Sequence, residues 1–129
     1  MENNLVVRIA EGLGNQMFMY ANALSLSNRF NYKLFIDNTS GFFQNKNKTL
    51  GREYGLNIFN ISANLAENTD KYDNYLSHNY KKMLKFLNKY QKKKSFLTDP
   101  KGIGKKTFYE KIDYLLTNKV YLEGYFESE

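Results

Sequence analysis

Near the start of the chain, a strand pattern, a glycine turn and a helix pattern follow one another, and this order constrains the fold most. Residues 5–9 (LVVRI) form a β-branched apolar run typical of a strand buried on both faces of a parallel sheet. Gly12 and Gly14 then favour a tight turn, and apolar side chains recur at helical spacing up to about residue 29. The apolar helical positions are Met17, Tyr20, Ala21 and Leu24. Residues 32–37 (YKLFID) predict a second strand.

Strand, helix and strand in this order predict a βαβ unit in an α/β fold with a Rossmann-like parallel sheet. A right-handed crossover brings the carboxyl ends of both strands to one edge of the sheet. The glycine turn and Asp37 are therefore expected at the same edge, which is where open α/β proteins bind ligands.

The rest of the chain gives weaker signals. Residues 42–79 predict loop with minor helix or strand, and residues 119–126 (KVYLEGYF) predict a further strand that runs into a glycine-aromatic turn. Around Tyr80 a helical period returns, with an apolar face and a basic face. The apolar face comprises Met83, Leu84, Leu87 and Tyr90, and the basic face comprises Lys81, Lys82, Lys85, Lys89 and Lys92.

A solvated lysine face is the favoured interpretation of this helix, with contact to an anionic membrane as an alternative. Nucleic-acid binding is not expected, because such a surface favours arginine and exposed aromatic side chains on one face, and no RNA-recognition signature occurs.

Length and composition limit the possible functions. The 129 residues, taken as one domain over 1–129, carry a formal net charge of +6, no cysteine and the single histidine His78. Disulfides and thiolate metal sites are excluded, and no histidine pair is present for zinc. No run approaches the roughly 20 apolar residues that cross a bilayer, and the first residues do not resemble a signal peptide. We expect a cytoplasmic, soluble chain.

The glycine turn is the strongest candidate for a binding site. Glycine lets a ligand approach the backbone, and the N-terminus of the following helix attracts anions. The side-chain amides of Asn15 and Gln16 suit sugar hydroxyls. Met17 stands where a dinucleotide fingerprint needs its third glycine, and no Gly-Lys-Ser/Thr ends the turn. One alternative stays open, in which the glycines only make a turn and Asn15 caps the helix.

Three segments resemble glycosyltransferase family eleven, the α-1,2-fucosyltransferases. The first is residues 8–21, with the run GLGNQMF at 12–18, and the others are residues 52–59 and 122–129. They occur in the family's order and at roughly its spacing. The chain departs from the family's usual glycine at Glu11 and from its usual glutamines at Met19 and Glu127. A carboxylate at Glu11 disfavours a nearby diphosphate, so a contact with sugar hydroxyls fits this turn better.

The resemblance implies the N-terminal half of a GT-B enzyme that transfers fucose from GDP-fucose to a galactoside hydroxyl, with inversion and without a metal. It also implies that the turn lines the cleft and contacts donor or acceptor. The implied substrate-binding residues are Gly12, Leu13, Gly14, Asn15 and Gln16. Asp37 is a weak candidate for the general base, although a strand-end carboxylate that caps a loop is the commoner case, and Arg8 is assigned a structural role.

In the family, a His-x-Arg-x-Gly-Asp type motif in the second half holds the donor diphosphate. No such motif occurs here, since Asn79 and Tyr80 follow the only histidine. We therefore expect a fragment that lacks the donor-binding half and is inactive alone. A non-catalytic α/β ligand-binding module is the main alternative, and a basic nucleic-acid-binding protein is a lesser one.

Overall fold

Five parallel strands form one sheet with helices on it, so the prediction of an α/β, Rossmann-like parallel sheet is confirmed at this level. The computed structural model describes residues 3–42, 54–59, 61, 64–98 and 116–124. The strands are β1 (Asn4–Arg8), β2 (Lys33–Asp37), β3 (Asn64–Leu65), β4 (Lys94–Thr98) and β5 (Leu116–Glu123). Their order in the sheet is β3-β2-β1-β5-β4, and every pairing is parallel.

The helices are α1 (Leu13–Phe30) and α2 (Tyr75–Asn88), accompanied by short 3-10 turns at Leu56–Ile58 and Asn68–Asp70. The predicted first strand, first helix and second strand are therefore confirmed within two residues. The strand β4 was not predicted, and the predicted last strand begins earlier than expected, at Leu116. The predicted glycine-aromatic turn at 124–126 lies mostly outside the described residues. No described helix is long and apolar enough to cross a membrane.

β1 is the centre of the sheet and is buried on both faces, as its apolar run predicts. Leu5 and Val7 pack in the layer that contains α1, whereas Val6 packs with Phe96 and Tyr121 in the opposite layer. All three β1 side chains are almost fully buried. Because side chains alternate along the strand, β1 contributes apolar residues to the core on each face of the sheet.

The predicted inner face of α1 is wrong. Met17 is 47% exposed and Leu24 is 38% exposed. The buried residues of the helix are Gln16, Met19, Ala23, Leu26 and Ser27. Apolar residues lie all around this helix, so the helical period did not single out one face, and contact with the sheet decides which side is buried.

The predicted inner face of α2 is also wrong for most of its residues, although Leu84 packs inward and Lys82, Lys89 and Lys92 are exposed as predicted. Lys81 is buried, whereas Met83, Leu87 and Tyr90 are exposed. The reason lies on β5, where the Glu123 carboxylate accepts a hydrogen bond from Lys81 Nζ at 3.1 Å. This ion pair turns the lysine face of the helix toward the sheet. The helix also begins at Tyr75, which is earlier than its apolar period indicates.

A glycine fixes the loop that follows β2 against the end of β1. A Cβ atom added to Gly41 would lie 2.3 Å from the carbonyl oxygen of Ile9 and 2.6 Å from the Cβ of Ala10. Both distances are too short for any side chain, and backbone cannot move aside cheaply. Gly41 therefore allows the close approach that shapes the carboxyl edge of the sheet.

Candidate functional site

The carboxyl ends of β1 and β2 lie side by side, as the βαβ prediction requires. Arg8 is opposite Asp37 in the strand register, and Ile9 N donates to the carbonyl oxygen of Asp37 at 3.1 Å. The glycine turn follows directly, so it and Asp37 share one sheet edge.

The tight bend of the turn is made by Glu11 and by neither of the glycines, which corrects the sequence prediction. Glu11 has a φ of 68°, in the left-handed region, whereas Gly12 has an extended backbone with a φ of −76°. A Cβ atom added to Gly12 or Gly14 would meet nothing within 4 Å. Among the described residues, no packing contact requires either glycine, and the space beside both of them is available to a ligand.

The first turn of α1 is uncapped. Gly12 is the N-cap and provides no side-chain hydrogen bond, and no acidic residue lies in the first turn. The first helical bond is donated by Gln16 N to Gly12 O at 3.0 Å. The backbone amides of Leu13, Gly14 and Asn15 therefore precede the helical bonding pattern, and such amides bind anions or hydroxyl oxygens. The alternative in which Asn15 caps the helix is wrong, because Asn15 is the third helical residue.

Gln16 connects the turn to a distant segment. Its side chain is 1% exposed, its Nε2 donates to Glu11 O at 2.9 Å, and its Oε1 accepts from Gly55 N at 2.9 Å. These two contacts use the nitrogen and the oxygen of its side-chain amide for bonds to backbone groups. Gln16 as a substrate contact stays a prediction, but the observed geometry gives its side chain a bridging role.

Asp37 is fully buried, and the protein itself uses both of its carboxylate oxygens. Oδ1 accepts from Thr39 N at 3.2 Å and Ser40 N at 3.1 Å, and Oδ2 accepts from the Tyr121 hydroxyl at 2.6 Å. These contacts fit a carboxylate that caps a loop. A general base needs an oxygen that reaches an acceptor hydroxyl, and in this arrangement the protein surrounds both oxygens.

A polar cluster beneath α2 adjoins Asp37, and no sequence pattern predicted it. Glu123 pairs with both Lys81 and Lys85, and Lys81 Nζ also lies 5.8 Å from the ring centroids of Tyr72 and Tyr121. Lys81 and Glu123 are 42 residues apart in sequence, and Tyr121 and Asp37 are 84 apart. The only local signal is the alternation along β5, which places Tyr121 and Glu123 on the same face.

Burial and charge act in opposite directions on the two partners of the central ion pair. Burial lowers the pKa of Lys81, and the nearby Glu123 carboxylate only partly offsets this. Burial tends to raise the pKa of Glu123, but the charges and hydrogen bonds of Lys81 and Lys85 lower it overall. Glu123 has two cationic partners, so its ionised form is the better stabilised of the two.

Arg8 lies at the end of the central strand with unused hydrogen-bonding capacity. Its Nε is buried, and no group in the described part of the chain accepts a hydrogen bond from it. Burial first, and then the charges of Lys81, Lys82 and Arg8, lower the pKa of His78. Arg8 therefore brings a positive charge to the edge that also carries the carboxylates of Glu11 and Asp37. From the sequence, only a structural role was predicted for Arg8.

Across the described ranges, no three His, Cys, Asp or Glu side chains are placed to hold a metal ion. What the edge offers is uncapped backbone amides, the side chain of Asn15 and the positive charge of Arg8, which together suit an oxygen-rich ligand. No protein-family profile, curated protein or solved structure matches the chain at a significant level.

Proposed function

We propose that this chain is the N-terminal domain of a GT-B type glycosyltransferase that resembles the α-1,2-fucosyltransferases. Its substrates are GDP-fucose and a galactoside. The observation that carries the proposal is a convergence in space of the segments on which the resemblance depends. Residues 12–18 and 54–59 are joined by the bond between Gln16 and Gly55, and β5 ends at the edge where the turn begins.

The open turn suits sugar recognition because it offers donors without a dedicated counter-charge. The amides of Leu13 and Gly14 and the side chain of Asn15 can bind hydroxyl oxygens, and Arg8 adds a positive potential nearby. In an inverting transfer, the acceptor hydroxyl attacks the anomeric carbon of fucose and GDP leaves. The family resemblance implies that a His-x-Arg-x-Gly-Asp type motif stabilises the leaving diphosphate. The 129 residues do not contain this motif. We therefore expect sugar binding without measurable transfer.

A substitution at Gly14 tests the proposal because it separates binding from folding. Gly14→Ala should stabilise α1 by about 0.5–1 kcal/mol, since glycine is a poor helix former and the added methyl has open space. The same methyl should weaken binding of GDP-fucose or lactose at least tenfold, because it occupies the space beside the uncapped amides. Calorimetry measures the affinity and urea unfolding measures the stability.

Ser25→Ala is the matched control, because Ser25 is an exposed position later in α1. It should raise stability similarly and leave the affinity unchanged. Stabilisation by a short RNA alone would overturn the proposal, and so would an unchanged sugar affinity in Gly14→Ala. Equal affinity for xylose, a sugar that is neither fucose nor a galactoside, would favour a general ligand-binding module.

A further inference from the structure

The outer face of α2 exposes a continuous set of large apolar side chains. Together with the turn that follows the helix, this face comprises Tyr75, Leu76, Tyr80, Met83, Phe86, Leu87 and Tyr90, each between 45% and 86% exposed. At about 100° per residue, the helical members span about 140° of the circumference. We name this set the α2 outer face.

The internal ion pair holds the α2 outer face away from the core. The inward side of the helix carries Lys81 and Lys85, both bonded to Glu123, and Leu84 packs on the cluster that contains Phe96 and Tyr121. Rotating the apolar residues inward would leave Glu123 buried without its partners, which is costly. The exposure is therefore built into the fold, and a contiguous exposed apolar patch on a soluble protein is typical of an interaction site.

The charge around this face has one sign. Residues 75–94 contain seven lysines and no acidic residue. Lys81 and Lys85 pair with Glu123, and Lys94 Nζ donates to the carbonyl oxygen of Asn88 at 2.7 Å. The remaining four are exposed along one flank of the helix and past its end, and they are Lys82, Lys89, Lys92 and Lys93.

We propose that the α2 outer face binds the surface of an anionic lipid bilayer, with the helix lying in the interface plane. The proposal does not depend on the proposed sugar chemistry. An apolar face combined with lysines at its border is the pattern of interfacial helices. Its tyrosines have an apolar ring and a polar tip, which suits the headgroup level.

The charge and the width of the α2 outer face argue against a second copy of the chain and against a single partner helix. A second copy would bring lysines against lysines and gain no compensating carboxylates. A single partner helix uses the narrower seam of a coiled coil, whereas the apolar arc here is wide enough for a flat surface. A fluid anionic surface satisfies both the width and the charge.

Vesicle flotation of the full chain tests the proposal. We expect binding to phosphatidylcholine vesicles that contain about a third phosphatidylglycerol, weak binding to phosphatidylcholine alone, and release as salt is raised. Leu76→Ser, Met83→Ser and Leu87→Ser together should reduce binding to anionic vesicles at least tenfold. The quadruple change of Lys82, Lys89, Lys92 and Lys93 to Gln should do so as well.

The matched control is a triple change of exposed apolar residues elsewhere, Leu24→Ser, Ile58→Ser and Leu65→Ser. It should bind vesicles like the parent chain, and circular dichroism should show that all variants are folded. Because the sequence has no tryptophan, Tyr80→Trp gives a single tryptophan, which can be excited apart from the tyrosines and whose emission should shift to the blue with anionic vesicles. Equal loss in the control triple would overturn the proposal. So would no vesicle binding, or a dimer in light scattering that the serine triple abolishes.

Discussion

The two helices of this domain use opposite designs at their N-termini and at their buried faces. α1 begins at Gly12 without a side-chain cap and packs mainly apolar residues on the sheet. α2 begins with a capping box, in which Asn74 Oδ1 accepts from Ser77 N at 2.8 Å and Ser77 Oγ accepts from Asn74 N at 3.2 Å. It packs lysines inward. The helix without a buried ion pair is the one whose first amides lack a side-chain cap.

This difference indicates which helix end is available to a ligand. A capping box satisfies two backbone donors at the start of a helix, so fewer of them are available at the start of α2 than at the start of α1. In α1, the corresponding donors lie at the carboxyl edge of the sheet, beside glycines whose missing side chains no packing demands. Chains retain locally unfavourable choices of this kind mainly where function requires them.

The ion pair under α2 should give the largest effect when it is broken. Glu123→Leu leaves Lys81 buried without its carboxylate, and we expect it to lower the free energy of unfolding at pH 7 by about 3–5 kcal/mol. Adding Lys81→Met to the same chain should restore stability to within about 1 kcal/mol of the parent, because the buried charge is then gone. Urea unfolding measures both changes.

Leu26→Ala in α1 is the apolar counterpart and should cost about 2–5 kcal/mol. Only the loss in Glu123→Leu should depend on pH. Burial lowers the pKa of Lys81 in the folded state, so the folded chain binds fewer protons than the unfolded chain and gains stability as the pH rises. Without the Glu123 carboxylate the pKa of Lys81 is lowered further, so Glu123→Leu gains more stability than the parent as the pH rises. Its deficit should therefore shrink in alkaline solution. A deficit that is constant with pH would mean that lost packing, and not the unpaired charge, explains it.

Local patterns predicted the strands and helix whose partners are near in sequence, and failed where a distant residue decides. β1, α1 and β2 follow from alternation, helical spacing and the turn between them. The inward face of α2 depends on Glu123, and the last two strands exchange places in the sheet. No periodicity within residues 75–90 contains that information. The space beside Gly12 and the Arg8 Nε, which lacks an acceptor among the described residues, are likewise properties of the assembled edge.

Alkaline pH should weaken the layer under α2 through Tyr72. Burial, and after it the charge of Asp70, raises the pKa of Tyr72 to about 12 from an ordinary value of 10.0. The folded state therefore favours the neutral phenol, and this stability is present below pH 10 and lost as the pH rises toward 12. Between these limits Tyr72→Phe should gain about 1–2 kcal/mol relative to the parent, a range reduced for partial exposure.

Urea unfolding at pH 8 and near pH 11.5 measures this relative gain. Tyr90→Phe serves as the control, because that tyrosine is exposed in the turn that follows α2. Equal slopes with pH in Tyr72→Phe and the parent would show that the buried phenol is not responsible for the alkaline loss.

The smallest expected effect concerns the bend that precedes α1. Glu11 has a φ of 68°, where an L-residue other than asparagine or aspartate costs roughly 1–2 kcal/mol. Glu11→Gly should therefore stabilise the domain by about 1 kcal/mol. Asn31→Gly, at the other end of the same helix with a φ of 59°, should gain less because asparagine tolerates this conformation. Thermal unfolding resolves the two.

Glu11→Gln separates strain from charge, because it keeps the side chain and removes the carboxylate. It should leave stability near that of the parent, since the strained backbone is retained. If the turn contacts sugar hydroxyls, its affinity for lactose should also stay unchanged, whereas a diphosphate at the turn would bind more tightly once the carboxylate is gone. A rise in affinity for GDP-fucose but not for lactose in Glu11→Gln would therefore indicate that the diphosphate binds at this edge. The open end of α1 would then hold phosphate and not sugar.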